Sequence, residues 1–533
     1  LTNLEQLTLN RNPGIKGSGL RHLKEMNQLR LLELLSAKSG DRQLHHLAVL
    51  PNLETLDLQY TQLTDNGLQQ LKDFPKLTVV RIFRSKVTKR GVERLHKAAP
   101  GIKVIQQPFW LEQLDGGPPK QVEHDAAGGI VPVRVDPESD FPGYLGPKRN
   151  GIVQGPAIST DWDASPPKEL WRMPIGGGFS SFAVVGDHAV TAEQRGPQEA
   201  IVCYDVRTGQ QLWIYRYKAF FSDEWGGEGP RATPTIFDDK VYNLGALGQL
   251  VCLDLATGSE KWTTNILTNK QGKEVTNVLW GMSGSPLVVG DRVIVNPGSE
   301  KGDGIAAYDR MTGKLVWRAP TLLGFNKNMA GYSSPMSATI DGMKQIVIFS
   351  GAGLSGHDPA SGARLWNFKW PQSMGTNIAQ PLLLEGDRIL ISTGYGIGSA
   401  LVQIRRDQTG WSAEQIWKSK GMKCKHTSPV LHGDYVYGLD EGILACISIE
   451  DGEQQWKRGR FGHGQILLTG DVIVVLSDKG KLALVNANPD GFELLGQIQA
   501  LPETRTWNPP ALFGGRLLIR NEIEVVCYDL RED

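Results

Sequence analysis

Arg231, Lys425, His426, His463 and Arg505 are the side chains whose types and places could do chemistry in this chain, because each stands shortly before a recurring apolar run. The lead-in segments read GGFSSF (177–182), GPRATP (229–234), WGMSGSP (280–286), GYSSPM (331–336), TNIAQP (376–381), CKHTSP (424–429), FGHGQI (461–466) and RTWNPP (505–510). Trp280, Tyr332, Asn377, Trp507 and Asn508 fall in the same segments, and Glu228 is the acid that clearly opposes the positive charge. Brought onto one ring, these residues make cations set among aromatic plates. Such a set suits a planar anion or an acidic peptide, through charge-assisted hydrogen bonds and stacking. The competing reading is that the same side chains plug a channel and bond loops or water. Like charges repel across a narrow opening, which favours a bound anion.

The elements that position these residues are read from a repeat. CYDVRTGQQLW (203–213), CLDLATGSEKW (252–262), AYDRMTGKLVW (307–317) and GHDPASGARLW (356–366) share a small residue, an aspartate, Thr-Gly or Ser-Gly, and a tryptophan. CISIEDGEQQW (446–456) keeps the pattern with Ser448 for the aspartate, Trp417 ends a looser copy, and VNANPDGFELL (485–495) ends in leucine. The copies end at 213, 262, 317, 366, 417, 456 and 495, and alternating runs separated by turns fill the intervals. Each interval holds about four short strands, the content of a propeller blade. The aspartate can accept backbone N–H bonds, the glycine supplies a positive φ, and the tryptophan offers a flat surface to the next blade. The C-terminal run PALFGGRLLIRNEIEVVCYDL lacks its tryptophan strand, and KELWRMPI (168–175) has Trp171 without preceding strands. Joining them predicts eight blades in a closed ring over residues 141–533, with 168–175 as the closing strand.

The Asp…Gly…Trp spacing resembles the tryptophan-docking motif of pyrroloquinoline quinone (PQQ) dehydrogenase-like propellers, over residues ~141–533. FPGYLGPKRNGI (141–152) is similar to the opening of large bacterial families of PQQ-like repeat proteins. The resemblance implies a quinoprotein-like fold and either of two functions. One is non-catalytic protein binding, as in the lipoprotein subunit of the bacterial outer-membrane β-barrel assembly machinery. The other is a quinoprotein alcohol dehydrogenase with PQQ and calcium at the channel mouth. PQQ is a planar tricarboxylate and would match the cations and plates. Glu228 with Asn377 or Asn508 is then the nominee for a base, since dehydrogenation requires a carboxylate and a cation near the quinone. Methanol-dehydrogenase relatives carry a disulfide between adjacent cysteines, and no Cys-Cys pair occurs here, a departure that weighs against quinone catalysis. The expectation is a non-enzymatic scaffold without a cofactor, binding a protein or peptide, and periplasmic or secreted by resemblance. Quinone-dependent oxidation is the alternative.

Cys203, Cys252, Cys446 and Cys527 share one repeat position, which Ala307 and Gly356 fill elsewhere, so packing explains them better than metal or disulfide chemistry. Residues 1–106 carry a different repeat: LEQLTL, LRLLEL, LETLDL, LTVVRI and IKVI begin at 4, 29, 53, 77 and 102. That period predicts an α/β leucine-rich repeat solenoid, continuing before Leu1 because the first repeat lacks a polar cap. Residues 107–140, rich in Gly and Pro, predict an extended linker. Lys+Arg and Asp+Glu number 57 each, which gives no whole-chain charge for nucleic acid, and no apolar stretch reaches the ~18 residues of a membrane span. Within 1–106, 17 Lys+Arg oppose 9 Asp+Glu, and the excess gathers between Arg81 and Lys103. A solvated helix face and a dock for an acidic surface both account for it. His45-His46 reads as a surface pair. GYGIGS (394–399) lacks the strand–loop–helix setting of a dinucleotide site.

Overall fold

The computed structural model describes residues 4–9, 17–34, 41–59, 61–82, 85–105, 139–223, 226–267, 280–298, 304–321, 330–370 and 375–532. Most of the expected linker, residues 107–138, lies outside them. The chain divides into two compact units, Leu1–Pro118 and Pro119–Asp533.

The first unit is a five-stranded parallel sheet of Gln6–Thr8, Leu31–Glu33, Thr55–Asp57, Val79–Arg81 and Lys103–Ile105. Gln6 pairs with Leu31, Leu31 with Thr55, Thr55 with Val79 and Val79 with Lys103, so the strands repeat with the period of the leucine ladders. Between them run 3-10 turns at Gly17–Leu23 and Asp41–His46 and α-helices at Asp65–Gln70 and Lys89–Ala98. Leu32, Leu56 and Val80 stack from strand to strand with no exposure, against Leu47, Leu68, Leu71 and Leu95 of the turns and helices. The helix starts are also tied between repeats. Thr64 N and Thr88 N donate to Asp41 and Asp65 at 2.8 and 2.7 Å, one repeat apart.

The second unit is an eight-bladed β-propeller of four-stranded antiparallel sheets. Blade 1 spans Ala183–Lys218, blade 2 Thr235–Asn265, blade 3 Leu287–Ala319, blade 4 Met336–Lys369, blade 5 Leu382–Ser419, blade 6 Val430–Arg460 and blade 7 Gln465–Gln499. Blade 8 takes three strands from Ala511–Asp529 and its outer strand from Lys168–Pro174, which pairs from Glu524↔Pro174 to Asp529↔Lys168. The turn chemistry is visible at each repeat. Asp254 Oδ1 accepts Thr257 N at 3.1 Å, Asp309 Oδ1 accepts Thr312 N at 2.9 Å, and Asp358 Oδ1 accepts Ser361 N at 2.7 Å. Side-chain bonds from Lys261 and Thr257 to Asp254, from Thr312 to Asp309 and from Ser361 to Asp358, with these backbone bonds, hold the three carboxyls below their ordinary range although burial works the other way.

The repeat tryptophans, with one exception, then dock on the turn of the following blade. Trp213 lies over Gly258, whose φ of +69° leaves no room for a side chain, and Trp213 Nε1 donates to Leu255 O at 2.7 Å. Trp171, Trp262, Trp317 and Trp417 repeat this arrangement on Gly209, Gly313, Gly362 and Gly452. Trp366 differs because blade 5 continues its third and fourth strands to Asp407 and Gly410, past the level of that turn. Its N–H bonds Gln345 of its own blade at 2.7 Å instead. All five cysteines are free and buried, and burial pushes the Cys252 and Cys446 thiols up to about 11.

Residues 141–153 add a feature absent from the sequence expectation. Phe141 and Val184 exchange backbone bonds in blade 1, Ile236 N of blade 2 donates to Pro142 O, and Ile152–Val153 pairs in parallel with the inner strand of blade 7. From this segment the buried Arg149, at φ +54°, donates to Thr235 Oγ1 (3.0 Å), Ser285 O (3.1 Å), Pro335 O (3.1 Å) and Pro286 O. One side chain that reaches blades 2, 3 and 4 together must lie inside the ring of inner strands. The segment therefore closes the central channel on the side where those strands run.

Candidate functional site

The other side of the channel is bounded by a circular belt of hydrogen bonds. Ser181 N donates to Thr233 Oγ1, Thr233 N to Ser285 Oγ, Ser285 N to Ser334 Oγ, Ser334 N to Gln380 Oε1 and Gln380 N to Ser428 Oγ, all at 2.9–3.0 Å. Gln465 Nε2 continues it by donating to His426 O and Trp507 O at 2.9 Å, and Ser181 Oγ closes it on Pro509 O at 2.7 Å. Five of the eight blades thus pair the amide ahead of the inner strand with a side chain of the next blade, as buried backbone requires. The Ser-Pro, Thr-Pro, Gln-Pro and Asn-Pro steps of the lead-in segments are this belt. The candidate residues lie one to a few positions before it, at the mouth.

The structure separates these candidates into three sets. Asn377 and Asn508 are completely buried and hold loops. Asn377 Nδ2 donates to Ser350 O (2.9 Å) while its Oδ1 accepts Thr393 Oγ1 (2.9 Å), and Asn508 Nδ2 donates to Gly178 O and Ser180 O. On the sector of blades 2 to 4, Arg231 donates to Trp280 O (3.0 Å), Gly227 O (2.8 Å) and Gly229 O, with its guanidinium 4.4 Å from the centre of the Phe221 ring. Its charge holds the loop that carries Glu228. Glu228 itself pairs with Ser222 in the short hairpin of that loop. The Trp280 and Tyr332 rings meet at 5.7 Å, and Tyr332 N donates to Asn377 O at 2.8 Å.

The third set, on blades 6 to 8, is arranged differently. The His426 ring meets Trp507 edge-on at 4.3 Å and His463 at 5.5 Å. Arg505 stands 4.9 Å from the centre of the Trp507 ring, and Lys425 Nζ stands 4.8 Å from that of Tyr395. Lys425 and Arg505 form no ion pair with a carboxylate among the described residues. Two enclosed atoms of the set, His426 Nδ1 and Arg505 Nη1, have no hydrogen-bond partner there. Burial, followed by the fields of His463, Lys425 and Arg505, pushes His426 down to about 3, so its ring is neutral near pH 7. His463 is also lowered, first by burial and then by Lys425, against the pull of Glu441 and Asp478.

Phe179 links the two sectors and is missing from the sequence reading. Its ring lies 5.3 Å from Trp507 and 5.6 Å from the Arg231 guanidinium. The aromatic lead-in GGFSSF was the available signal. Tyr395, at φ +58° and 44% exposed, was likewise passed over because GYGIGS was weighed only as a dinucleotide loop.

Calcium requires six to eight oxygen ligands, usually with several carboxylates. Among the described residues no three His, Cys, Asp or Glu side chains gather into a metal-holding group. Of the nominated amides, Asn377 Oδ1 already accepts a hydroxyl, whereas the buried Asn508 Oδ1 has no hydrogen-bond partner among the described residues. One unpartnered amide oxygen without a gathered group of carboxylates falls short of that ligand number, so the described residues do not fit a calcium-bound quinone.

A family profile described as "Outer membrane protein assembly factor BamB" matches residues 197–458. A protein of that name from Moranella endobia (strain PCIT) is 24% identical over 289 residues, 52% of this chain and 69% of its own length. Lupanine 17-hydroxylase [cytochrome c] of a Pseudomonas species is 27% identical over 163 residues, 28% of this chain, and the match spans only 22% of that relative. Among solved structures, the quinohemoprotein alcohol dehydrogenase of Comamonas testosteroni superimposes with a TM-score of 0.52 at 15% identity, covering 75% of this chain and 82% of that one. The structural likeness shows the propeller fold. The sequence matches support membership of the PQQ-like propeller superfamily, and they include both assembly factors and dehydrogenases. No helix among the described residues is long and apolar enough to cross a membrane.

Proposed function

We propose that this chain is a non-enzymatic protein-interaction scaffold whose propeller mouth receives a protein or peptide partner in the bacterial envelope. The carrying observation is how the mouth uses its polar groups. Arg231, Asn377 and Asn508 are engaged by backbone carbonyls, as befits residues that hold a binding face in shape. Among the described residues no three His, Cys, Asp or Glu side chains gather into a metal-holding group. The assembly-factor matches support the same role, and the dehydrogenase matches keep quinone-dependent oxidation as the alternative. Residues 1–106 are, in this reading, a leucine-rich repeat solenoid that provides a second recognition surface, basic over Arg81–Lys103.

The test is to titrate the full chain with PQQ and calcium, recording absorbance and dye-linked oxidation of alcohols. No calcium-dependent binding and no turnover are expected. Saturable binding accompanied by turnover would make the chain a dehydrogenase and overturn the scaffold.

A further inference from the structure

Two cations, two imidazoles and an indole share one third of the mouth, and their arrangement is electrostatically incomplete. In a folded protein an enclosed donor without a partner costs more than a formed hydrogen bond returns, so such atoms are rare and call for an explanation. Here two enclosed polar atoms without a partner, the Arg505 Nη1 donor and the His426 ring nitrogen Nδ1, belong to side chains flanking the same Trp507 ring. Lys425 adds a second full charge beside His426 and His463, whose rings are lowered first by burial and further by its field. Acidic groups stand nearby in Glu441 and Asp478, each bonded to a backbone N–H and neither ion-paired with Lys425 or Arg505 among the described residues. Glu441 accepts Gly396 N at 3.1 Å, and Asp478 accepts His463 N at 3.1 Å. Arg231, the remaining cation of the mouth, is saturated by carbonyls and completes a different sector.

We propose that Lys425, Arg505 and His426, with the Trp507 face beside them, form a carboxylate-binding subsite that takes an acidic side chain of a peptide segment of the partner. The proposal rests on the mouth being a recognition face and narrows that face to blades 6 to 8. A carboxylate accepts from the Arg505 fork and balances Lys425, which relieves the repulsion between the cations. The Trp507 ring then covers the apolar stem of the acidic residue or of its neighbour. A peptide is favoured over a compact small ligand because the opening is lined by side chains from at least three blades and continues along Phe179 toward Trp280 and Tyr332.

The experiment is calorimetry of the full chain with N-acetyl-hexaglutamate amide, with hexalysine as the charge control and benzene-1,3,5-tricarboxylate as the small planar competitor. Hexaglutamate is expected to bind saturably and to weaken as salt rises, while hexalysine does not bind. Arg505→Ala and Lys425→Ala are each expected to lower the affinity about tenfold or more, as loss of a charge-assisted bond does. Arg505→Lys should recover part of the loss, and Arg231→Ala should change it less than about twofold, because that guanidinium faces carbonyls. Melting curves of the four variants, expected to match the parent for the two residue 505 and Lys425 changes, separate lost binding from lost folding. No binding of hexaglutamate, binding of the tricarboxylate alone, or equal losses for Arg231→Ala and Arg505→Ala would each overturn the subsite. None of those outcomes touches the scaffold reading, which falls only on quinone turnover.

Discussion

His357 shows how much a single buried side chain can set. Its ring is fully enclosed in blade 4, with Nδ1 3.0 Å from Gly362 O and Nε2 3.0 Å from Ser355 Oγ. A carbonyl oxygen can only accept, so Nδ1 carries the proton and Nε2 accepts the serine hydroxyl. Protonating Nε2 would require the serine hydroxyl to turn and accept, and would place a full charge in a dry site. Burial pushes this histidine down to about 4, against the ordinary 6.5. The unfolded chain therefore binds a proton that the folded chain refuses between those two values. The stabilisation is complete above pH ~6.5 and is lost as pH falls toward ~4, by roughly 3 kcal/mol in all. Urea midpoints taken from pH 7 to pH 4.5 should fall more steeply for the parent than for His357→Gln, and parallel curves would contradict the assignment. The mouth residues were legible at this scale by type and poorly by role. Arg231 and Arg505 look alike in sequence, but the carbonyls that saturate Arg231 come from its own loop and from Trp280, 49 residues away. Arg149 was not legible at all, since its acceptors lie 86 to 186 residues distant.

At the scale of the element, the Asp…Gly…Trp repeat joins a local turn to a long-range dock. The glycine in the turn does two things, adopting a positive φ and leaving space for the indole of the preceding blade. A Cβ on Gly258 would come within 2.6 Å of the Trp213 ring, whereas one on Gly290, at φ +55°, would meet open space. Gly290→Ala should therefore cost only the ~1 kcal/mol of a strained backbone, and Gly258→Ala that amount plus ~1–3 kcal/mol of overpacking. Trp262→Ala removes the matching surface on the next seam and should cost ~3–5 kcal/mol. Chemical denaturation of the three variants checks the order, and equal losses for the two glycines would rule out docking as the reason for the motif. This turn was readable because its hydrogen bonds all fall within four residues. The exception at Trp366 was not, because it depends on the length of the hairpin in the following blade. The belt was also missed. Its serines, threonines and glutamines were on view, but a bond from Ser181 N to Thr233 Oγ1 has meaning only once two blades stand side by side.

The propeller as a whole must solve a closure problem, and three structures share it at the seam between blades 8 and 1. Lys168–Pro174 completes the sheet of blade 8, the Trp171 indole docks on Gly209 of blade 1, and Trp171 Nε1 donates to Val206 O at 2.9 Å. Behind them Arg520 of blade 8 reaches Thr191 Oγ1 at 2.9 Å and Ala192 O at 3.3 Å in blade 1. Burial works to raise the Glu193 carboxyl beside it, but Arg195 and Arg520 outweigh that and keep it ionised. The backbone pairing is the indispensable part. Without Lys168–Pro174 the Glu524–Asp529 strand becomes an open edge with unpaired N–H and C=O groups, a template for pairing with another chain. Arg172 would also vanish from Glu524 (2.6 Å) and Tyr528 (3.0 Å), removing an ion pair from a buried carboxylate. Deleting residues 166–175 should therefore give a chain that elutes as oligomers and melts without a cooperative transition. Trp171→Ala keeps the ladder and loses only the dock, so it should remain monomeric with ~3 kcal/mol less stability. Size-exclusion chromatography with calorimetric melting separates the two cases. If the deleted chain stayed monomeric with the parent's melt, seven blades and a three-stranded remnant would suffice, and the ring would owe its stability to the channel-filling segment 141–153 and the seam charges rather than to the closing strand.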